Sequence, residues 1–562
     1  MSFVGFPSAI NTVLPMVIAA IGGFVALLLL RHRVHPRWLA LLFGLSSALA
    51  YIAFAHGAGL SFYGLQGDET FVMAFLEHVA AGHFFSDFSY AALPPFYPPL
   101  YFWIVGGVGW LLHWNGVQAG KLGVALVFGL LPFGSVVLQE WLWRGRPDTE
   151  RPSAWGMLFA AVVYLPVIGW ENALLKPYEV FTALLGVQLA AFFFVRAGEK
   201  WSWRDTLLYG IGFSLLLLSY YFWGMQIAIA GILSFVVFRT SLVRRLGSYA
   251  LVGCLALLGS MPFWLPYLIS MTHGFSAAQG TFLSVQDFDL FVPFFSWQVS
   301  GLVFLGGLVV FVRWYRQPLI RSLALLALTP YLWQLCGAVL FLLGKQPLLP
   351  AKPFLFFGGA AFVTAAGWGI GFFKTRDVSR RQSLAFGTVA VTLATLVSFG
   401  GFFVSQPETQ AAFFRMRAPS AEVQELDAFF HVHPEFLHHT YLSSGIGQLS
   451  AFVPLDIFIQ PTVHFSHPAA RWPERFAFLV ELAVSGDATV FAERLQETPW
   501  GSVNGLLLYR SDDTYSLFFQ EDAWPNGTRE RVIAIPAALV SDVLWQEQTH
   551  IGDFFVFTRR TP

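Results

Sequence analysis

Two adjacent carboxylates follow a glycine in Gln66-Gly67-Asp68-Glu69-Thr70, just beyond a long apolar run. A carboxylate within hydrogen-bond reach of a hydroxyl can act as general base, typically worth about 10²–10⁴-fold in rate. The same pair also suits a plain helix start with Asp68 as N-cap. Glu77 and His78 follow on a helix-like stretch over 70–82, and Asp87 comes before Leu93-Pro94-Pro95-Phe96-Tyr97-Pro98-Pro99. Prolines on both sides stiffen this segment, so Phe96 and Tyr97 can offer flat faces to sugar rings or form a rigid aromatic belt at a membrane interface.

A second set of residues could handle an anion. Lys176-Pro177-Tyr178-Glu179 follows Trp170-Glu171-Asn172 at the end of an apolar run, and Lys345 and Lys352 flank another such end in Gly-Lys-Gln-Pro-Leu-Leu-Pro-Ala-Lys-Pro. Ionisable residues at membrane depth are costly and point to function by default. A lysine there can hold a lipid phosphate as a point charge, or it can simply snorkel to the interface. His431, His433, His438 and His439 are dense, but their spacing matches no metal site. No divalent metal or other cofactor is indicated. Asn526-Gly527-Thr528 fits a glycosylation sequon.

The elements that must position these residues are mostly membrane spans. Of 562 residues, 56% are apolar and 12% charged, where a soluble domain carries about a quarter charged. Lys+Arg and Asp+Glu balance at 33 each, so no global field favours nucleic acid. Cys254 and Cys336 lie in apolar runs and have neither zinc spacing nor a disulfide framework. From Met1 to about Val404, apolar stretches long enough to cross a bilayer recur, whereas residues 405–562 carry Pro, Asp, Glu and His throughout. The expected boundary is Ser405-Gln406-Pro407. No cleavable signal peptide is expected, because nothing basic precedes the first apolar run.

Charge sets the expected topology. Clusters at Arg31/Arg33/Arg37, Arg144/Arg146/Arg151, Arg196/Lys200/Arg204, Arg239/Arg244/Arg245, Arg313/Arg316/Arg321 and Lys374/Arg376/Arg380/Arg381 are all assigned to the cytoplasm by the positive-inside rule. Spans at 11–30, 38–55, 121–142, 154–172, 177–195, 206–221, 223–238, 248–271, 298–312, 322–343, 355–373 and 383–404 satisfy that parity. Segment 99–114 cannot also cross, and reads as a helix at or dipping into the outer leaflet. The fold expected is a polytopic α-helical membrane domain of about twelve transmembrane helices over 1–404. Its first outer loop is 56–120, and an extracytoplasmic α/β soluble domain follows over 405–562.

This arrangement resembles the GT-C class of membrane glycosyltransferases: an acidic residue in the first outer loop, interfacial helices and an outward soluble domain. Gly67-Asp68-Glu69-Thr70-Phe71 with Leu93–Pro99 is similar to the N-terminal membrane domain of galactan arabinofuranosyltransferases. Ser466-His467-Pro468-Ala469-Ala470-Arg471-Trp472-Pro473-Glu474-Arg475 and Phe519–Gly527 are similar to that family's C-terminal domain.

The resemblance implies transfer of an arabinofuranosyl, or related pentosyl, unit from a polyprenyl-phosphate donor to a cell-wall galactan. It implies a plasma-membrane protein with an outward active site in which Asp68 activates the acceptor hydroxyl, with Glu69 as the adjacent candidate. Lys176, Lys352 and Lys345 are the expected donor-phosphate ligands. Tyr97, Phe96, Tyr178, Glu179 and His467 are the expected substrate contacts. One base and one displacement would invert the anomeric centre. A GT-C enzyme with another sugar or acceptor is the alternative. A transporter is disfavoured, because no inverted repeat is evident and polar residues crowd one face.

Overall fold

The computed structural model describes residues 34–144, 152–199, 202–238, 242–275, 299–346, 351–373 and 415–560, with a few isolated positions besides. The expected spans 11–30 and 383–404, and the boundary at Ser405–Pro407, lie outside these residues. The chain divides into two compact units. The first comprises Met1–Ala58, Lys121–Met261 and Asp289–Met416; the second comprises Gly59–Gly120, Pro262–Phe288 and Arg417–Pro562.

The first unit is helical. The other ten expected spans each meet a helix: α1 (Pro36–Phe54), α4 (Gly116–Leu142), α5 (Ala154–Ile168) continued by α6 (Trp170–Leu175), α7 (Pro177–Arg196), α8 (Trp203–Ser219), α9 (Tyr221–Val237), α10 (Leu242–Thr272), α11 (Val299–Trp314), α12 (Pro318–Leu342) and α13 (Gly359–Phe373), the last entered through a π-turn at Phe354–Gly358. Among the described residues, five helices are long and apolar enough to cross a bilayer: α1, α4, α7, α10 and α12. Proline opens α1, α7 and α12, where a missing N–H costs nothing and φ is already helical.

Close packing in this unit relies on small residues. A Cβ on Gly156 would lie 2.2 Å from the Gly367 carbonyl oxygen, and one on Gly367 would lie 2.4 Å from that of Gly156. Helices α5 and α13 therefore cross backbone to backbone, as lipid-embedded helices do when they lack a hydrophobic drive to associate. Helix α7 is the centre, with 89% of its apolar window buried, against 22% for α10. Some of the polar groups inside pair with each other: Trp368 Nε1 donates to Gln139 Oε1 at 2.8 Å, and Gln188 Nε2 donates to Ser135 Oγ at 2.8 Å.

The second unit is a sheet domain joined to the first loop. Strands β1 (Thr440–Ser443), β2 (Asp456–Ile457), β3 (Gly505–Ser511), β4 (Thr514–Asp522), β5 (Thr528–Pro536), β6 (Trp545–Ile551) and β7 (Phe554–Arg559) form one mixed sheet. β1 pairs in parallel with β2 and β3, while the β3–β4, β4–β5, β3–β7 and β6–β7 pairs are antiparallel. Leu506, Leu508, Leu517, Ile533 and Ile535 turn one face into a core shared with α14 (Trp472–Ala483) and α15 (Ala488–Gln496). In β5 buried and exposed residues alternate, the pattern of a sheet packed on one side only.

In the loop, α2 (Asp68–Ala80) packs on α3 (Leu100–Leu112), a helix of 13 residues that is too short to span. Gly106 makes this contact possible, since a Cβ there would lie 2.7 Å from the Val79 Cβ. Ile457 N–H donates to the Ser89 carbonyl at 2.9 Å, and Gln448 Nε2 donates to the Gly64 carbonyl at 3.0 Å. The loop is thus bonded to the C-terminal sheet domain within a single unit.

Candidate active site

The two carboxylates that open α2 have different surroundings. Asp68 is half-buried at the first helical position, where the unsatisfied N–H groups and the helix dipole favour negative charge. Glu69 is 1% exposed, and its Oε2 accepts the Tyr63 N–H at 2.9 Å and the Leu65 N–H at 3.0 Å. Glu69 therefore closes the turn in front of the helix, and Asp68 is the carboxylate that reaches accessible surface.

Behind this turn lies an aromatic cluster built from segments distant in the chain. Phe71 of α2 meets Tyr97 edge-on at 4.7 Å and stacks on Phe465 at 5.8 Å. Phe96 and Tyr97 are both half-buried, and Phe96 also meets the His467 ring at 5.7 Å. His467 is 1% exposed; its Nδ1 accepts the Ala469 N–H at 2.9 Å, and Tyr267 covers its ring at 5.7 Å. Burial lowers its pKa to about 4, with the Pro94 backbone pulling back slightly, so His467 is neutral at physiological pH.

Around this cluster the unit buries several ionisable groups. Burial pushes Asp87 up to about 8, against the pull of the Ser89 and Tyr90 N–H groups that its Oδ1 accepts at 3.0 and 3.1 Å. Burial likewise raises Glu77 to about 8, although its Oε2 accepts the Gly116 N–H at 2.6 Å. His78 goes the other way, to about 3, through burial and the neighbouring His83. Arg475 stacks on Tyr90, Phe458 and Trp500 at 5.0, 5.1 and 5.4 Å, and its Nε donates to the Ala470 carbonyl at 2.6 Å. Tyr90 in turn shares a 2.9 Å hydrogen bond with Ser466 and accepts the Gln460 N–H at 2.9 Å.

The other expected site residues belong to the first unit. Lys352 lies 2.9 Å from Glu179, whose side chain is 1% exposed, and 5.2 Å above the Tyr220 ring. Tyr178 packs edge-on against the same Tyr220 at 6.0 Å, and Trp223 Nε1 donates to the Glu179 backbone carbonyl at 2.9 Å. Lys176 is half-buried, and its carbonyl accepts the Glu179 and Val180 N–H groups as α7 begins. Lys345 is exposed beyond the end of α12. The ten expected site residues thus fall into two groups. Asp68, Glu69, Phe96, Tyr97 and His467 are in the second unit; Lys176, Tyr178, Glu179, Lys345 and Lys352 are in the first. Among the described residues no cluster of three or more His, Cys, Asp or Glu could hold a metal ion.

Reading the residues in order missed Gln460 and the stacking role of Arg475. Arg475 lies inside a block whose composition already stood out. Gln460 carried no signal, because its importance comes from the Ser89 hydroxyl it reaches 371 residues away at 2.8 Å.

Comparison with known proteins bears on the family and the fold. Residues 5–398 match the family model described as "Arabinofuranosyltransferase N terminal", and residues 437–559 match "Arabinofuranosyltransferase A C terminal". A galactan 5-O-arabinofuranosyltransferase of Mycolicibacterium smegmatis is 25% identical, over 96% of this chain and 90% of its own. The protein of that name from Corynebacterium glutamicum is 22% identical, over 88% and 79%. Among solved structures, ArnT from Cupriavidus metallidurans bound to undecaprenyl phosphate aligns with TM-score 0.51 at 15% identity, covering 94% of this chain and 98% of that one. The fold is that of the GT-C membrane glycosyltransferases, with a C-terminal sheet domain, and the protein is multi-pass. The chain belongs to the arabinofuranosyltransferase A family of membrane glycosyltransferases.

Proposed function

We propose that this enzyme transfers an arabinofuranosyl unit from a polyprenyl-phosphate-linked donor to a galactan-type polysaccharide, outside the cytoplasm and with inversion at the anomeric carbon. The acceptor class follows the names of the relatives. The donor class is supported by the fold neighbour that was solved with a polyprenyl phosphate. The observation that carries the chemical reading is the division of labour between the paired carboxylates: Glu69 is consumed by backbone N–H groups, while Asp68 opens α2 with accessible surface.

In this mechanism Asp68 accepts the proton of the acceptor hydroxyl as its oxygen attacks the anomeric carbon. The bond from that carbon to the phosphate oxygen breaks, and the electron pair leaves with the polyprenyl phosphate. One displacement from the opposite face inverts the centre. Lys176, Lys345 and Lys352 are assigned to the leaving phosphate, whose charge grows as the bond breaks. For Lys352 this means sharing its charge between phosphate and Glu179. Tyr178 supports the start of α7, and Phe96, Tyr97 and His467 form the wall behind Asp68. The residues over 405–562 serve the acceptor; of the four histidines, His431 and His438 are exposed, while His433 and His439 are half-buried.

Gly67, not Asp68, is the N-cap of α2, so the test is Asp68→Asn, which keeps the shape of the side chain but removes its charge and basicity. Well-folded Asp68→Asn should lose on the order of 10²-fold or more in turnover. Glu69→Gln should lose less turnover and more thermal stability. Transfer at the wild-type rate by folded Asp68→Asn would remove it as the base. Topology is tested separately by a reporter fused near the C-terminus, expected to read external.

A further inference from the structure

Among the described residues, the second unit contains a cleft of about 190 Å³ that the mechanism above does not use. Its walls are the first turns of α2, the Ser443–Ser450 turn after β1, and the Ile457–Phe465 segment, with Gln520 of β4 at one side. Two features of the lining decide what it suits. None of its residues is charged, so the lining offers no counter-charge to a phosphate or a metal cation. It combines aromatic rings (Phe71, Phe88, Phe465) with amides and hydroxyls (Gln460, Gln520, Ser450). Apolar ring faces beside neutral hydrogen-bonding groups match the two faces of a sugar ring: C–H on one side, hydroxyls around the rim.

The position is equally informative. Asp68 is not itself in the lining, but it opens the helix whose Thr70, Phe71 and Ala74 line the cleft. The wall opposite is already fixed, because Gln460 Nε2 donates to Ser89 Oγ at 2.8 Å, its backbone N–H reaches the Tyr90 hydroxyl, and Gln520 N–H donates to the Pro461 carbonyl at 2.8 Å. A pre-formed wall costs little ordering when a ligand arrives. We infer that this cleft is an acceptor subsite, which holds one neutral sugar residue of the polysaccharide so that a hydroxyl is presented beside Asp68. The assignment rests on the glycosyl-transfer reading above and adds to it where the acceptor is gripped.

The experiment uses the full chain in nanodiscs and a synthetic four-residue galactan oligosaccharide, with binding measured calorimetrically in the absence of donor. Gly447→Leu fills the cleft. Its Cβ would lie 3.6 Å from Thr70 Cγ2, ordinary contact, and Gly447 has no left-handed φ, so the fold accommodates the change. Gln460→Leu removes the amide at near-constant volume and serves if Gly447→Leu lowers the melting temperature too far. Both variants should weaken oligosaccharide binding at least tenfold, and should raise the acceptor KM at least tenfold more than the donor KM. Equal binding by wild type and a folded variant overturns the assignment, as does failure of the wild type to bind the oligosaccharide. If the wild type binds it in the cleft but transfers no pentose to it, the subsite stands and the proposed reaction falls.

Discussion

The two units bury charge in opposite ways. In the helical unit the buried Glu179 carboxylate has a cation 2.9 Å away, Lys352. In the unit that joins the first loop to the sheet domain, Asp87 and Glu77 are buried with backbone N–H groups as their described partners, and both are raised to about 8. Pairing and protonation are the two ways to avoid an isolated buried charge. The first keeps a permanent dipole between two helix ends, next to two tyrosines. The second keeps a neutral carboxyl that loses its proton near physiological pH. The helical unit should therefore respond to loss of a partner, and the loop-and-sheet unit to pH.

The largest expected effect comes from breaking the pair. Lys352→Ala leaves Glu179 buried without its cation, which typically costs about 3–5 kcal/mol. The double variant Glu179→Gln/Lys352→Met should recover most of that stability. Denaturation in detergent, followed by near-UV circular dichroism, reads both. If Lys352→Ala is as stable as wild type, the contrast between the units is lost.

The pH effect is next. A carboxyl whose pKa is raised on folding binds more protons folded than unfolded, so stability is complete below the unfolded value near 4 and falls as pH rises towards 8. The buried histidines His78 and His467, lowered to about 3 and about 4, oppose this only below about pH 6.5. Between pH 6.5 and 8 the carboxyls act alone, and each should cost about 1 kcal/mol per pH unit. Asp87→Asn keeps an acceptor for the Ser89 and Tyr90 N–H groups while removing the titration. It should flatten the slope of melting temperature against pH, and an unchanged slope would move the effect to Glu77.

A smaller effect sharpens the picture inside the second unit. Arg475 is sandwiched by aromatic rings and donates to backbone carbonyls. Arg475→Lys keeps the charge but loses the planar stacking surface, a loss of about 1–2 kcal/mol readable by chemical denaturation. The smallest is a control: His431→Ala, at an exposed position of the Ala421–Val432 helix, should leave both stability and transfer unchanged within assay error.

Much of the helical unit was legible because lipid imposes a length rule. A run of apolar residues must cross a fixed thickness with its backbone bonded internally, so composition alone marks α1, α4, α7, α10 and α12. The candidate carboxylates were legible for a related reason, since charge just past an apolar run stands out. Their separate roles were not. Only the turn conformation brings the Tyr63 and Leu65 N–H groups to Glu69 and so sets it apart from Asp68.

The sequence by itself determined the class, the family and the short list of candidate polar residues, because those depend on local composition and on motifs contiguous in the chain. The tertiary structure decided what those residues touch. It paired Lys352 with Glu179, and it joined the loop to the sheet domain through Ser89, Tyr90, Gln460 and Ser466. It also closed a neutral cleft from segments up to 453 positions apart, Gly67 to Gln520. Contacts of that separation depend on shape complementarity and burial summed over whole elements, and no local pattern of residue types records them.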